Sequence, residues 1–179
     1  MTSHIDRSVA EARFRDVFAH LGEITAYARR RGSHDPDAIA AEAMTIAWRR
    51  LADVPTDDAR PWLFATARNL LHDERRRRSQ LAALADAPER ASVELWQPAT
   101  LDQEVTAALT SLSLADREAL LLVAWEDLSP ALAARAFGIR EATFRVRLHR
   151  ARRRFKEALA RSPAPAEHTS SHQITLEER

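Results

Sequence analysis

Arg145, His149 and Arg153 stand four residues apart, so on a helix they share one face, and Val146 joins them there. Cations and an imidazole so arrayed can donate to base edges and phosphates in a DNA major groove. The opposite face carries Phe144, Leu148, Ala151 and Phe155, an apolar stripe that would hold such a helix to its domain. A second mixture lies upstream. Trp62, Phe64, Thr66, Arg68 and Asn69 place aromatic, hydroxyl, cationic and amide groups within two helical turns, a set able to stack on and hydrogen-bond unpaired bases. Trp62 admits two readings, stacking platform or core residue. Arg75 to Arg78 is a run of four cations, suited to phosphates or to the C-terminal end of a helix.

Catalytic chemistry has little to stand on. The chain has no Cys, hence no thiolate nucleophile, thiolate metal site or disulfide framework. No Gly-rich phosphate loop, HExxH pattern or nucleophile elbow occurs. His34, Asp35 and Asp37 crowd the start of a helical pattern; a metal site is one reading, and compensation of the helix dipole is the simpler one. Neither an enzyme nor a cofactor is expected.

Charge supports binding to a polyanion once it is resolved along the chain. The net charge of the 179 residues is only +1. Residues 135–161, however, hold ten basic side chains against Glu141 and Glu157, while residues 86–127 hold nine acids against Arg90 and Arg117. Such sorting suggests a basic surface for nucleic acid and an acidic face turned away from it. Of the 27 basic residues only Lys156 is not arginine; a GC-rich genome is the simpler reading of that bias, and arginine is also the better fork for phosphate and guanine.

These groups must be positioned by helices. Thirty-five alanines, three glycines and one tyrosine argue for an all-α chain. The apolar spacing predicts a first helix over 9–31, a second from Asp35 or Pro36 to Leu51, and a third from Pro61 to about Arg78. Residues 79–100, with Pro88 and Pro98, read as a flexible linker. A short stripe at Val105, Leu109 and Leu112 follows, then a helix opened by Ser113 and running to about Glu126. Ser129-Pro130 starts a short helix, Gly138-Ile139-Arg140 makes a turn, and a long helix runs from Glu141 to about Ala160. Small Ala134 four residues before Gly138 completes a helix-turn-helix signature. Residues 162–179 read as disordered. The longest apolar run, Ala119 to Trp125, is far too short to span a bilayer, and the first ten residues lack the apolar core of a signal peptide. A cytoplasmic protein is expected.

Residues 10–160 resemble a bacterial RNA polymerase sigma factor of the extracytoplasmic function type. The resemblance rests on Ala47-Trp48-Arg49, on Pro61-Trp62-Leu63-Phe64 through Arg68-Asn69, on Leu112 to Arg117-Glu118, on Phe137-Gly138-Ile139, and on the run from Thr143 to Arg152. It implies two small helical domains, 1–78 and 101–161, the second a helix-turn-helix. The first would grip core RNA polymerase through Ile39, Glu42 and Trp48. It would also read and melt the promoter minus-ten element through Trp62, Thr66, Arg68, Asn69, Asp73, Arg75 and Arg76. The second would read the minus-thirty-five element through Arg140, Thr143, Arg145, Val146, Arg147, His149, Arg150 and Arg153. The implied function is promoter-specific initiation without catalysis, with core polymerase and promoter DNA as partners and an anti-sigma factor as a further one. The chain departs from the family pattern at Ala38-Ile39-Ala40-Ala41, where Asp-Leu-Val-Gln is usual, and at Leu132-Ala133, where Glu-Ile is usual. The rival reading is a sigma-like DNA-binding regulator that does not bind core polymerase.

Overall fold

Side-chain caps open several of the helices. The Asp35 carboxylate accepts from the Ala38 N–H at 2.9 Å with Pro36 in the first turn. Ser113 and Ser129 receive the N–H groups of Asp116 and Leu132, at 3.2 and 3.3 Å, and Pro130 fills a first-turn position. The computed structural model describes residues 7–84 and 102–161, and among them every regular element is helical. The α-helices are α1 (Arg7–Phe18), α2 (Leu21–Arg30), α3 (Pro36–Arg49), α4 (Arg60–Leu84), α5 (Gln103–Thr110), α6 (Leu114–Ala124), α7 (Pro130–Phe137) and α8 (Glu141–Arg161). A 3-10 turn at Leu51–Asp53 leads towards α4. The chain is all-α, as its composition requires.

Two boundaries differ from the sequence expectation. The single helix expected over 9–31 is two helices, broken at Ala19 and His20, where the His20 N–H turns to the Val17 carbonyl at 3.2 Å. Gly22, a weak helix former, follows the break, and because Val17 and Ile24 are both buried the apolar stripe runs across it unaltered. The third helix continues past Arg78 to Leu84, so the first residues assigned to a linker are helical. The remainder of that segment and the tail from 162 lie outside the described residues.

α2, α3 and α4 pack round Ile24, Tyr27, Ala28, Ala43, Leu63, Phe64 and Ala67, with α1 against α3. The alanines let backbones approach closely while Tyr27 and Phe64, 5.0 Å apart, fill the centre. α5 to α8 pack round Leu122, Leu128, Ala133, Ala134, Phe144, Leu148 and Ala151. Arg117 closes the C-terminal end of α5, donating to the carbonyls of Leu109 and Thr110 at 2.8 and 2.9 Å. The two groups are not apart. α7 packs on α4, and the buried residues of both groups form one continuous cluster.

Candidate nucleic-acid interface

Gly138 makes the turn on which the basic helix depends. Its φ of +74° lies in the left-handed region, which only glycine enters without strain, and it ends α7 while the Ile139 N–H returns to the Ala134 carbonyl at 3.1 Å. α8 then starts across α7, pinned by buried Phe144, whose ring meets Phe137 edge-on at 5.8 Å. Leu148 and Ala151 continue the buried stripe. On the other side Arg140, Thr143, Arg145, Val146, His149, Arg150 and Arg153 are all exposed, Val146 by 51%. Arg145 pairs with Glu141 and Arg153 with Glu157, each one turn away on the same helix and in solvent. Pairs of that kind contribute a few tenths of a kcal/mol and give way readily to phosphate.

Arg147 is placed differently from its neighbours. It turns inward, over the Phe137 ring at 5.6 Å and 3.8 Å from Asp116, and its Nε is buried without a hydrogen-bond partner. Arg154 donates to the same Asp116 carboxylate.

On α4, Asn69, Asp73 and Arg76 are exposed and aligned along one side, with Arg76 pairing to Asp73 at 3.4 Å. Trp62 is half-buried, with the Arg50 guanidinium 5.9 Å from its ring, so it is neither core nor an open platform. The Thr66 hydroxyl donates to the Trp62 carbonyl at 2.9 Å. Arg68 lies over Phe137 at 4.4 Å, and Arg75 donates to the Arg31 carbonyl at 3.0 Å, so both engage protein. Further back, Ile39 is 7% exposed and belongs to the core, whereas Glu42 is exposed and Trp48, 45% exposed, rests edge-on against Phe14 at 5.0 Å. Phe14, Phe18, Leu21, Met44 and Trp48 line an open apolar hollow there. Of the His34, Asp35 and Asp37 group, Asp35 caps α3 and Asp37 stands in its first turn, the positions the dipole reading expects, while the His34 backbone N–H donates to Glu74 at 2.9 Å.

Asp116, Glu118 and Glu126 are buried rather than part of the solvated acidic face that charge sorting suggested, while Asp102 and Asp127 are exposed. Arg31, 4% exposed, contacts both Glu118 oxygens at 3.1 and 2.9 Å and donates to Glu126 at 2.8 Å. Tyr27 donates to Glu118 at 2.7 Å, Arg30 reaches Glu126, and Arg60 donates to the Glu126 carbonyl at 2.8 Å. Burial pushes the Glu118 carboxyl upward, but Arg31, the Tyr27 hydroxyl and Arg68 outweigh it and hold the group below its ordinary range. Burial, and then the Glu118 charge, push the Tyr27 hydroxyl well up. This seam joins α2 to α6 and the turn after it. Its side-chain to side-chain pairs span 87 to 96 residues, a separation that no local spacing reports. Asp116 is equally hidden in the sequence, which shows it only as one acid within a capping pattern.

Comparison with known proteins bears on the same elements. The family model described as "Sigma-70, region 4" matches residues 102–155, the stretch from α5 into α8. Among solved structures, the sigma factor RpoE of Bartonella quintana, crystallised with the anti-sigma factor NepR, is similar at 26% identity and a TM-score of 0.65, over 83% of this chain and 97% of that one. CnrH, solved with the cytosolic domain of CnrY, is similar at 25% identity and a TM-score of 0.60, over 88% of this chain and 99% of that one.

Proposed function

We infer that this chain, which belongs to the sigma factors of bacterial RNA polymerase of the extracytoplasmic function type, directs promoter-specific initiation by dividing DNA recognition between α8 and α4. It is a specificity subunit with no reaction of its own. The observation that carries the division is the α7–turn–α8 geometry: one face of α8 is buried through Phe144, Leu148 and Ala151 while its other face is exposed and cationic.

α8 reads the minus-thirty-five duplex in the major groove, Arg145 and His149 at base edges and Arg140, Thr143, Arg150 and Arg153 at flanking phosphates. α4 holds the unpaired minus-ten strand with Asn69, Asp73 and Arg76, and Trp62, Thr66, Arg68 and Arg75 complete that surface once they exchange their contacts within the protein for DNA. Glu42 and Trp48 face core polymerase from the side of α3 that borders the apolar hollow, and Ile39 belongs to the core of the same helix. An anti-sigma factor is a further partner, by analogy with the RpoE structure. Among the described residues no helix is long and apolar enough to cross a membrane, and a subunit of this kind works in the cytoplasm with its polymerase.

Reconstitution with core polymerase tests the reading. The chain is expected to co-purify with core and to direct run-off transcription from a subset of genomic promoters that core alone does not use. A chain that binds duplex DNA but never core would be the regulator of the rival reading instead.

A further inference from the structure

We propose that Asp116, on α6 and outside the recognition helix, sets how selectively α8 reads DNA by holding Arg147 and Arg154 away from phosphates. The proposal rests on the assignment of α8 to duplex recognition.

Asp116 is 4% exposed, and its own N–H is fixed by Ser113 at the first turn of α6. One carboxylate oxygen accepts from Arg154, and the other lies 3.8 Å from Arg147. Arg147 is also seated on the Phe137 ring. Thr143, Val146 and Arg150 line the same open hollow as Asp116, so the acid sits at the flank of the DNA-facing surface, within reach of the arms that would otherwise extend to phosphates. Arg145 and Arg153 are held only by exposed glutamates of their own helix, contacts that exchange easily for a phosphate. A buried carboxylate is another matter, because pulling a cation from it leaves an uncompensated charge in the interior.

The consequence for DNA follows from counterion release. Sequence-independent affinity scales with the number of phosphates neutralised, each adding about 0.9 to the salt dependence of binding. Two arginines kept on Asp116 are subtracted from that number. Base contacts fix the register of the cognate complex, so freed arms would reach few extra phosphates there. On non-cognate duplex, where no register is fixed, they would settle on whatever phosphates lie nearby. Asp116 thus lowers non-specific binding more than specific binding, and selectivity is the difference between the two. Asp116 is a positioning residue: it acts through two side chains and touches no base.

The test uses the full chain, a duplex selected by the parent from a random pool, and a scrambled duplex, with binding followed by fluorescence anisotropy across a salt series. Asp116→Asn is expected to steepen the salt slope on scrambled duplex by up to about 1.8, two cations' worth, and to lower the ratio of selected to scrambled affinity severalfold. Adding Arg147→Gln and Arg154→Gln to that variant should restore the parental slope. Arg154→Gln alone, a change at a half-exposed side chain, should leave the parental slope unaltered. An unchanged slope in folded Asp116→Asn overturns the proposal. So does a gain that survives the two added substitutions, or a slope already reduced by Arg154→Gln alone. If Asp116→Asn loses its helical circular dichroism, the Arg154→Gln arm decides by itself. A parent that selects no duplex at all is a separate result, which removes the recognition role of α8 and this inference with it.

Discussion

Arg145 and His149 are the side chains on which base reading is expected to turn, because both are exposed on α8 opposite buried Phe144 and Leu148. Arg145→Ala and His149→Ala should each weaken cognate binding by about 1–3 kcal/mol and relax base preference, as loss of a base-edge contact does. Binding to a library of single-base promoter variants checks this, and an unaltered preference profile would remove both from the reading set. Phe144→Ala should behave quite differently. Its ring is fully buried against Phe137, so deletion should destabilise the α5–α8 group by about 3–5 kcal/mol, visible in denaturant unfolding, with DNA binding lost only as the fold is lost. The two faces of α8 were legible in the sequence because a period of 3.6 separates them. The inward turn of Arg147 was not, since its partner Asp116 is brought beside it only by the crossing of α6 and α8.

At the scale of elements, α4 carries most of the first group's chemistry, and packing divides its side chains. Asn69, Asp73 and Arg76 face solvent, whereas Arg68 and Arg75 contact the rest of the protein. Asn69→Ala combined with Arg76→Ala should therefore leave polymerase binding intact and reduce promoter opening, read by permanganate reactivity of unpaired thymines. A premelted template should recover most of the loss, because the unpairing cost no longer falls on the protein. Normal opening of intact duplex by this variant would leave α4 as a scaffold for polymerase contact. Helix starts were readable from Asp35-Pro36, Ser113 and Ser129-Pro130, and the left-handed turn from Gly138, because those signals are local chemistry. The break between α1 and α2 was not readable, because Val17 and Ile24 keep the apolar stripe in phase across it.

Over the whole molecule, the Tyr27, Arg31, Glu118 and Glu126 seam ties the helices before the linker to those after it. Arg31→Met should cost about 3–5 kcal/mol, since it removes the buried cation that two buried carboxylates share. The seam also predicts a pH window. The Glu118 carboxyl titrates below its ordinary 4.5 in the folded chain, so its contribution is present above that value and is lost as pH falls through the folded one. Tyr27 titrates above its ordinary 10.0, so its contribution holds below that pH and is lost as pH rises through its folded value. Denaturant midpoints should form a plateau between these limits, and Glu118→Gln should flatten the acid limb. An acid limb identical to the parent's would mean that the seam does not govern acid stability. Nothing in the sequence reported this seam. Its residues looked like an acidic block and a separate helix end until folding made them neighbours.

Phe137, at the end of α7, is attended by Arg68 from α4 and by Arg147 from α8, at 4.4 and 5.6 Å. If α4 and α8 read different parts of a promoter, as proposed, a ring shared by the two helices can couple their equilibria. If withdrawing Arg68 towards unpaired DNA changes the free energy of Arg147 on that ring, occupancy of one promoter element alters affinity for the other. Reciprocity then requires the second to alter the first by the same factor. Occupancy of the two elements would thus be linked through a single phenyl group, and Phe137→Leu should leave each element bound with less regard for the other.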